Sequence, residues 1–288
     1  MFLLLSILSS SLINLVFRFF PKYQVYNQQA IAVNYFTCVL TGLATSGVSI
    51  EVIKTSYYTS WGPYTLVLGL LFVTVFFGMA VTAQKFGISV SVIAAKMGVV
   101  FPVMYAFLFL KESPTLLLVL GIVLSLVSVY FVSKKDKATK TIKRLWVILL
   151  PAFVLLGSGV IDTSLKVIEQ QIIGQSPAAA TIMIFFAAAI LGTCITLYRL
   201  ATKRTVLTRQ NIVGGIILGI PNYFSIFFLL KSLQSDFFTT SQVYPLNNIG
   251  IVVLSTVLSV LIFKEHLTKK NIVGILMAIV AIVLISLP

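Results

Sequence analysis

The feature that most constrains this chain is an apolar run of about 20 residues that recurs ten times along its length. As a helix, each run is long enough to cross the roughly 30 Å hydrocarbon core of a bilayer. Only seven of the 288 residues are acidic, and charged residues make up 10% of the chain, which is too few for the polar surface of a soluble protein. The sequence therefore predicts an all-α integral membrane protein with ten transmembrane helices in a lipid bilayer.

The apolar runs fall into two groups of five, separated by one polar segment. That segment, "SKKDKATKTIKR", covers residues 133–144 and is predicted to be a basic linker between a first repeat, 1–132, and a second repeat, 145–288. The first residues lack the basic start of a secretory signal, so the first run is expected to remain as a span. The predicted spans are residues 2–20, 28–48, 62–83, 88–110, 114–132, 145–171, 177–198, 211–231, 238–262 and 269–287.

The two halves resemble each other in sequence. "KESPTLLLVLG", which begins at Lys111, matches "KEHLTKKNIVG", which begins at Lys264, at an offset of 153 residues. At an offset of 150 residues, two glycines of the first half match glycines of the second, namely Gly42 with Gly192 and Gly69 with Gly219. Because five spans are an odd number, the second copy must enter the membrane in the opposite direction. The sequence therefore predicts an inverted repeat.

The basic residues predict the orientation of the chain. When Arg18, Lys96 and Lys166 are set aside as lying within spans, 15 of the remaining 18 Lys and Arg residues lie in or at the edges of the odd-numbered connectors. Cytoplasmic connectors carry the excess of Lys and Arg, so both termini are predicted to lie outside the cytoplasm of a multi-pass protein of the cell membrane. The net charge of +14 is thus explained by topology, and no nucleic-acid partner is expected.

These features resemble a known family. Two inverted copies of five helices, each with a Glu-containing turn ("FLKES" and "IFKEH") followed nine residues later by glycine, are similar to the EamA-type transporters of the drug/metabolite transporter superfamily. The resemblance implies that helices 1, 3, 4, 6, 8 and 9 line a cavity. It also implies cytoplasmic termini, which is the opposite of what the charge distribution predicts.

Polar residues interrupt the first helix of each half in the same pattern. Their spacing of four places each set of three along one helical stripe. An acid inside the membrane is costly and usually marks a pathway, so Asp162 is predicted to contact substrate and carry a proton. The alternative is a local ion pair between Asp162 and Lys166. At an offset of 148 residues, the matched positions are Ser10 with Ser158, Asn14 with Asp162, and Arg18 with Lys166.

Lys96 is the most deeply placed cation and lies about eight residues inside the fourth span, or roughly 12 Å deep. We expect it to share a cavity with Asp162, where an anionic substrate, such as one with a carboxylate, binds its ammonium. Two alternatives are a snorkelling lysine and a permanent Lys96–Asp162 pair that fixes the fourth helix against the sixth.

Two proline-containing spans supply further candidate binding residues. Pro245 frees a backbone carbonyl at Ser241, and such a group needs a partner in protein or in a wet cavity. Interhelical hydrogen bonding alone is the alternative explanation for both clusters. The candidate substrate contacts are Tyr244, Asn247 and Asn248 in "VYPLNNIG", and Asn222 and Tyr223 in "GIPNYFS".

The remaining charged residues are given structural roles. Glu112 and Glu265 precede the last helix of each half, where carboxylates complement helix N-termini. His266, the only histidine, is expected to be solvated. No cofactor or metal is expected, and a monomer is the expected assembly.

The leading hypothesis is a secondary active transporter that exports a small polar metabolite, such as an amino acid or organic acid, by proton-coupled alternating access. The chain contains no GxxxxGK[ST] motif for ATP hydrolysis, so the energy source is expected to be a gradient. An intramembrane enzyme acting on a lipid-soluble substrate is the alternative. It is disfavoured by the single histidine and by the lack of a nucleophile and base arrangement. An inert scaffold would not explain the matched polar stripes.

Overall fold

The fold is described by a computed structural model that covers residues 1–86, 88–133, 145–172, 177–202, 208–235, 237–263 and 268–287. The regular structure in these ranges is helical throughout, which confirms the all-α prediction. The predicted linker, residues 133–144, lies outside the described residues except for Ser133. The helices are α1 (Phe2–Phe19), α2 (Asn27–Ser46), α3 (Ile50–Tyr57), α4 (Gly62–Phe86), α5 (Ile88–Met97), α6 (Val100–Phe109), α7 (Leu116–Ser133), α8 (Leu145–Gln171), α9 (Pro177–Ala201), α10 (Arg209–Leu233), α11 (Thr240–Phe263) and α12 (Lys269–Ser286).

Each predicted span overlaps helical residues, but the helices differ in whether they are long and apolar enough to cross a membrane. By length and apolar composition, seven helices in the described part of the chain can cross a membrane, or eight if α2 and α3 form one bent span. Two further apolar stretches, Ala94–Phe109 and Leu116–Phe131, are shorter. By length and composition, these helices are those of an all-α membrane protein.

The second predicted span ends in a sharp turn. Gly47 adopts a left-handed backbone conformation with φ of 66°, which glycine tolerates because it has no Cβ. The next helix, α3, begins where the Ser49 hydroxyl accepts a hydrogen bond from the Val52 N–H at 3.3 Å. As a result, the chain bends by 116° between α2 and α3. The predicted span therefore corresponds to α2 alone.

The chain divides into two compact units, each built from two segments. Unit 1 comprises Met1–Thr74 and Val167–Gln234, and unit 2 comprises Val75–Lys166 and Ser235–Pro288. In unit 1, α2 packs against α9 and α10, and α10 also packs against α1. In unit 2, α7 packs along α12, while α11 contacts α6, α7 and α12. Each unit therefore combines segments from both halves of the sequence.

Two glycines of unit 1 each pack against the helix that carries the other. A Cβ atom added to Gly42 on α2 would lie 2.5 Å from the side chain of Ile182 on α9. A Cβ atom added to Gly192 on α9 would lie 3.5 Å from the backbone of Ala32 on α2. Gly42 and Gly192 are 150 residues apart, as are Ala32 and Ile182.

A second pair of glycines in unit 1 shows the same relation at backbone level. Gly69 on α4 and Gly219 on α10 are 150 residues apart, and each lies against a neighbouring helix too closely for a side chain. The partners are again 150 residues apart. A Cβ at Gly69 would lie 2.6 Å from Ala187 Cβ and 2.8 Å from the Ile184 carbonyl oxygen, and one at Gly219 would lie 2.5 Å from Thr37 Cβ and 2.7 Å from the Asn34 carbonyl oxygen.

In unit 2, the helices α7 and α12, which follow the matching "KE" segments in the sequence, pack antiparallel. Gly121, near the start of α7, lies against Ile285 at the end of α12. Ser128, further along α7, donates a hydrogen bond from its hydroxyl to the Gly274 carbonyl at 3.0 Å. Small residues on both helices permit this close approach.

Glu112 differs from its expected role, because it caps α11 and not the helix that follows it in sequence. Its carboxylate accepts the backbone N–H groups of Thr240 and Ser241, both at 2.9 Å, and the Ser241 hydroxyl at 2.5 Å. Lys111, with a left-handed φ of 57°, turns the chain just before Glu112. A carboxylate at a helix N-terminus satisfies donors that have no intrahelical partner and complements the helix dipole. The acid therefore ties the connector before α7 to the start of α11.

Replacing Glu112 with glutamine is expected to destabilise the protein by about 1–2 kcal/mol, because charge-assisted hydrogen bonds become weaker neutral ones. The apparent melting temperature of the purified protein in detergent measures this effect. Glu51→Gln is the matched control, since Glu51 is an exposed acid. An equal change in melting temperature for both variants would contradict the capping role.

Candidate functional site

The candidate site lies in unit 2, where the junction between α5 and α6 meets α8. Helix α8 carries Gly157 and Gly159 on either side of Ser158, and Gly98 sits in the two-residue turn that separates α5 from α6. A Cβ at Gly98 would lie 2.8 Å from the Gly159 backbone nitrogen. This contact brings the end of α5, with Lys96, next to the part of α8 that carries Asp162.

Lys96 is partly buried and is held by an amide. Its Nζ donates to Asn248 Oδ1 at 3.1 Å, and Asn248 Nδ2 donates to the Lys96 carbonyl at 3.4 Å. The carbonyl is available to a second donor because α5 ends one residue later, at Met97. Asn248 is itself buried, with an exposed fraction of 6%. The ammonium therefore has a neutral partner in the interior of a helical unit.

Asp162 is close enough to Lys96 for the two charges to attract each other. Among the contacts of the described residues, however, there is no direct ion pair between them, and Lys96 donates to Asn248 instead. A permanent Lys96–Asp162 salt bridge, the structural alternative raised by the sequence, is not formed in this structure. The two charges are close to each other but not in direct contact.

Helix α11 also contacts α8 at Asp162. The Tyr244 hydroxyl donates to the Asp162 backbone carbonyl at 2.6 Å, and Tyr244 is fully buried. Asn247, with an exposed fraction of 5%, has a buried Oδ1 with no hydrogen-bond partner. An unsatisfied buried acceptor is costly, so Asn247 is suited to a ligand that donates a hydrogen bond.

Six of the predicted binding residues thus belong to unit 2. Ser158 lies one helical turn before Asp162 and is partly buried. Lys166, one turn after Asp162, is buried. The structure brings together Lys96, Asp162, Tyr244 and Asn248, and Asn247 adjoins Asn248 on α11.

The other four predicted residues belong to unit 1. On α1, Ser10 and Asn14 are partly buried, and on α10, Asn222 and Tyr223 are buried. The two polar stripes predicted from the sequence therefore fall in different units. Asn222 Nδ2 donates to Asn34 Oδ1 on α2 at 3.1 Å. This bond joins α10 to α2, as the alternative explanation of this cluster by interhelical hydrogen bonding requires.

Sequence reasoning did not identify the polar partners on α2. Asn34 is fully buried and accepts the Asn222 amide, and the Cys38 thiol donates to the Gly219 carbonyl at 3.3 Å. The thiol is buried, as expected for a cysteine that packs as a small apolar residue. The sequence offered one signal for Asn34. It lies four residues before Cys38, so the two side chains face the same side of α2.

The described residues contain no group of three or more His, Cys, Asp or Glu side chains that could hold a metal ion. Two residues to which the sequence assigned structural roles, Glu265 and His266, lie outside the described residues.

Comparison with known proteins places the fold but gives no function. No protein-family profile matches the chain. A protein of Haemophilus influenzae, described only as an uncharacterized protein, is 29% identical over 283 residues, which cover 97% of this chain and 95% of the relative. A solved crystal structure of a protein superposes with a TM-score of 0.74 at 15% identity, covering 99% of this chain and 98% of that one. The whole helical arrangement therefore has a counterpart among solved structures.

Proposed function

We propose that this protein is a secondary active transporter that exports a small polar metabolite with an anionic group, such as an organic acid or amino acid, by alternating access. The observation that carries the proposal is the Lys96 ammonium, which has an amide and not a carboxylate as its direct partner. A charge inside a membrane protein is costly unless it is paired or serves a pathway. A bound substrate anion supplies a direct anionic partner for the ammonium.

The ammonium retains capacity for a ligand. It carries three N–H donors, and within the described residues Asn248 Oδ1 is the one acceptor to which Lys96 Nζ donates. A substrate carboxylate can take the remaining donors while Asn247 Oδ1 accepts a hydrogen bond from the same molecule. The site thus recognises a small polar anion by charge and by one hydrogen-bond donor.

Asp162 supplies the coupling to a proton gradient in this proposal. Without substrate, its carboxylate balances the nearby charge of Lys96. When a substrate anion binds Lys96, Asp162 takes up a proton, so the site holds one cation and one anion in both states. Proton and substrate occupancy are linked because an unbalanced charge inside the membrane is costly.

The architecture that we propose is an inverted repeat of five helices, with ten spans in all, as in the EamA-type transporters that the sequence resembles. Its support is the pairing of contacts 150 residues apart, in which Gly42 and Ile182 mirror Gly192 and Ala32. Inverted repeats of this kind place substrate near the middle of the membrane and alternate access between two sides. The proposed assembly is a monomer in the cell membrane.

Uptake into proteoliposomes tests the proposal. The purified protein is reconstituted with an imposed pH gradient, and a panel of radiolabelled amino acids and small organic acids is offered one by one. Gradient-dependent accumulation of at least one carboxylate is expected, with protein-free liposomes and a collapsed gradient as controls. An intramembrane enzyme or a scaffold would accumulate none of them.

A reporter at the C-terminus tests the proposed orientation. We expect a fluorescent protein that matures only in the cytoplasm to stay dark when fused after Pro288, because 15 of the 18 basic residues other than Arg18, Lys96 and Lys166 lie in or at the edges of odd-numbered connectors. The same reporter fused to a known cytoplasmic C-terminus serves as the bright control. Bright cells with the Pro288 fusion would place both termini in the cytoplasm instead.

A further inference from the structure

Lys96 and Asn248 contact each other through two hydrogen bonds, and their contact bears on the symmetry of unit 2. Lys96 Nζ donates to the side-chain oxygen Asn248 Oδ1, and Asn248 Nδ2 donates to the backbone carbonyl of Lys96. A two-fold axis exchanges equivalent residues, so two equivalent residues that contact each other lie at the axis.

The sequence independently makes these two residues equivalent. Lys96 and Asn248 are 152 residues apart, and Gly98 and Gly250, two positions further on, have the same separation. The "KE" segments that follow are 153 residues apart. The two separations, 152 and 153 residues, thus differ by one. The change occurs in the region where the first copy is broken into α5 and α6, whereas the second copy is the single helix α11.

Part of the packing of the surrounding helices in unit 2 follows the same exchange. Helix α5 packs against α7, and its equivalent α11 packs against α12, the equivalent of α7. The helices α7 and α12 also pack antiparallel against each other, as two-fold copies must.

We propose that Lys96 and Asn248 lie on the pseudo-two-fold axis that relates the repeats within unit 2, and that the anionic group of the substrate binds on this axis. The inference rests on the proposed function. When the two repeats exchange conformations, a position on the axis stays in place between them. The anion can therefore remain at this position throughout the cycle. One lysine and one asparagine are what such a position requires, because two lysines would repel each other and two amides would carry no charge.

Exchanging the two residues tests the proposal. In Lys96→Asn/Asn248→Lys, the same two side chains occupy each other's positions, so we expect the side-chain hydrogen bond between ammonium and amide, and the ammonium on the axis, to be restored. Melting temperature should return to near the wild-type value, and carboxylate uptake to within about 10-fold of it, whereas Lys96→Asn alone should lose about 100-fold, as expected when a direct charge contact is removed.

A matched control moves the lysine to the neighbouring amide. Lys96→Asn/Asn247→Lys has the same composition as the exchanged variant, but the lysine points about 100° away around α11. This control should stay as unstable as Lys96→Asn, and melting temperature is its readout because Asn247 itself belongs to the proposed site. Equal behaviour of the two double variants, or an exchanged variant no more stable than Lys96→Asn, would overturn the axis assignment.

The two proposals fail in different ways. If the wild-type protein accumulates no carboxylate, the proposed function is wrong, and the melting temperatures of the same variants still decide whether Lys96 and Asn248 are symmetry-equivalent. If the wild type transports but the exchanged variant regains stability without uptake, the anion does not bind on the axis.

Discussion

Replacing Lys96 with methionine is expected to reduce uptake of an anionic substrate about 100-fold, because removing one member of a buried charge contact typically costs about 2–5 kcal/mol. Methionine keeps much of the length and apolar stem of lysine and removes only the ammonium. The helical content and elution profile of the variant should match those of the wild type. Initial rates of carboxylate uptake into proteoliposomes measure the effect, and a wild-type rate would contradict the assignment of Lys96 as the anion-binding residue.

A double variant separates substrate binding from a structural charge pair. If Lys96 and Asp162 only stabilise one another, Lys96→Met/Asp162→Asn should regain the transport lost in each single variant, because an apolar contact can replace a structural ion pair. In the present proposal the double variant folds but does not transport an anion. Recovery of anion transport in it would contradict that proposal.

Replacing Asp162 with asparagine is expected to abolish accumulation driven by a proton gradient while leaving the fold intact. Asparagine keeps the size and hydrogen-bonding capacity of aspartate but cannot titrate. The Tyr244 hydroxyl donates to the backbone carbonyl of residue 162, so this contact should survive the substitution. Uptake at several imposed pH gradients measures the effect.

Thr163→Val is a suitable control for Asp162→Asn. Thr163 is the next residue on α8 and is partly buried, and its hydroxyl donates to the Gly159 carbonyl of its own helix at 2.8 Å. This variant should keep the response to the gradient. An Asp162→Asn protein with the wild-type rate and pH dependence would show that the proton is carried elsewhere.

The sequence predicted most of what depends on local pattern. Runs of apolar residues predicted the helices, and the cost of a charge in a membrane singled out Lys96 and Asp162. Both predictions use only the composition and spacing of nearby residues. The structure confirms the helical fold and places these two charges near each other.

What the sequence could not predict are partners that are distant along the chain. The acceptor for Lys96 lies 152 residues away, and the helix capped by Glu112 begins 128 residues after it. No local spacing encodes such pairs. The break between α5 and α6 at Gly98 was also missed, since a glycine inside an apolar run is tolerated in membrane helices and does not by itself end them. The assignment of Glu112 to α7 failed because the helix that it caps is remote in sequence.

The paired contacts of Gly69 and Gly219 have a mechanical consequence for unit 1. At both places a backbone carbonyl lies within 3 Å of where a Cβ would be, and a backbone group cannot move aside by changing rotamer. Closely packed interiors of this kind transmit strain. A side chain larger than hydrogen at Gly69 or Gly219 would therefore force α4 away from α9, or α10 away from α2.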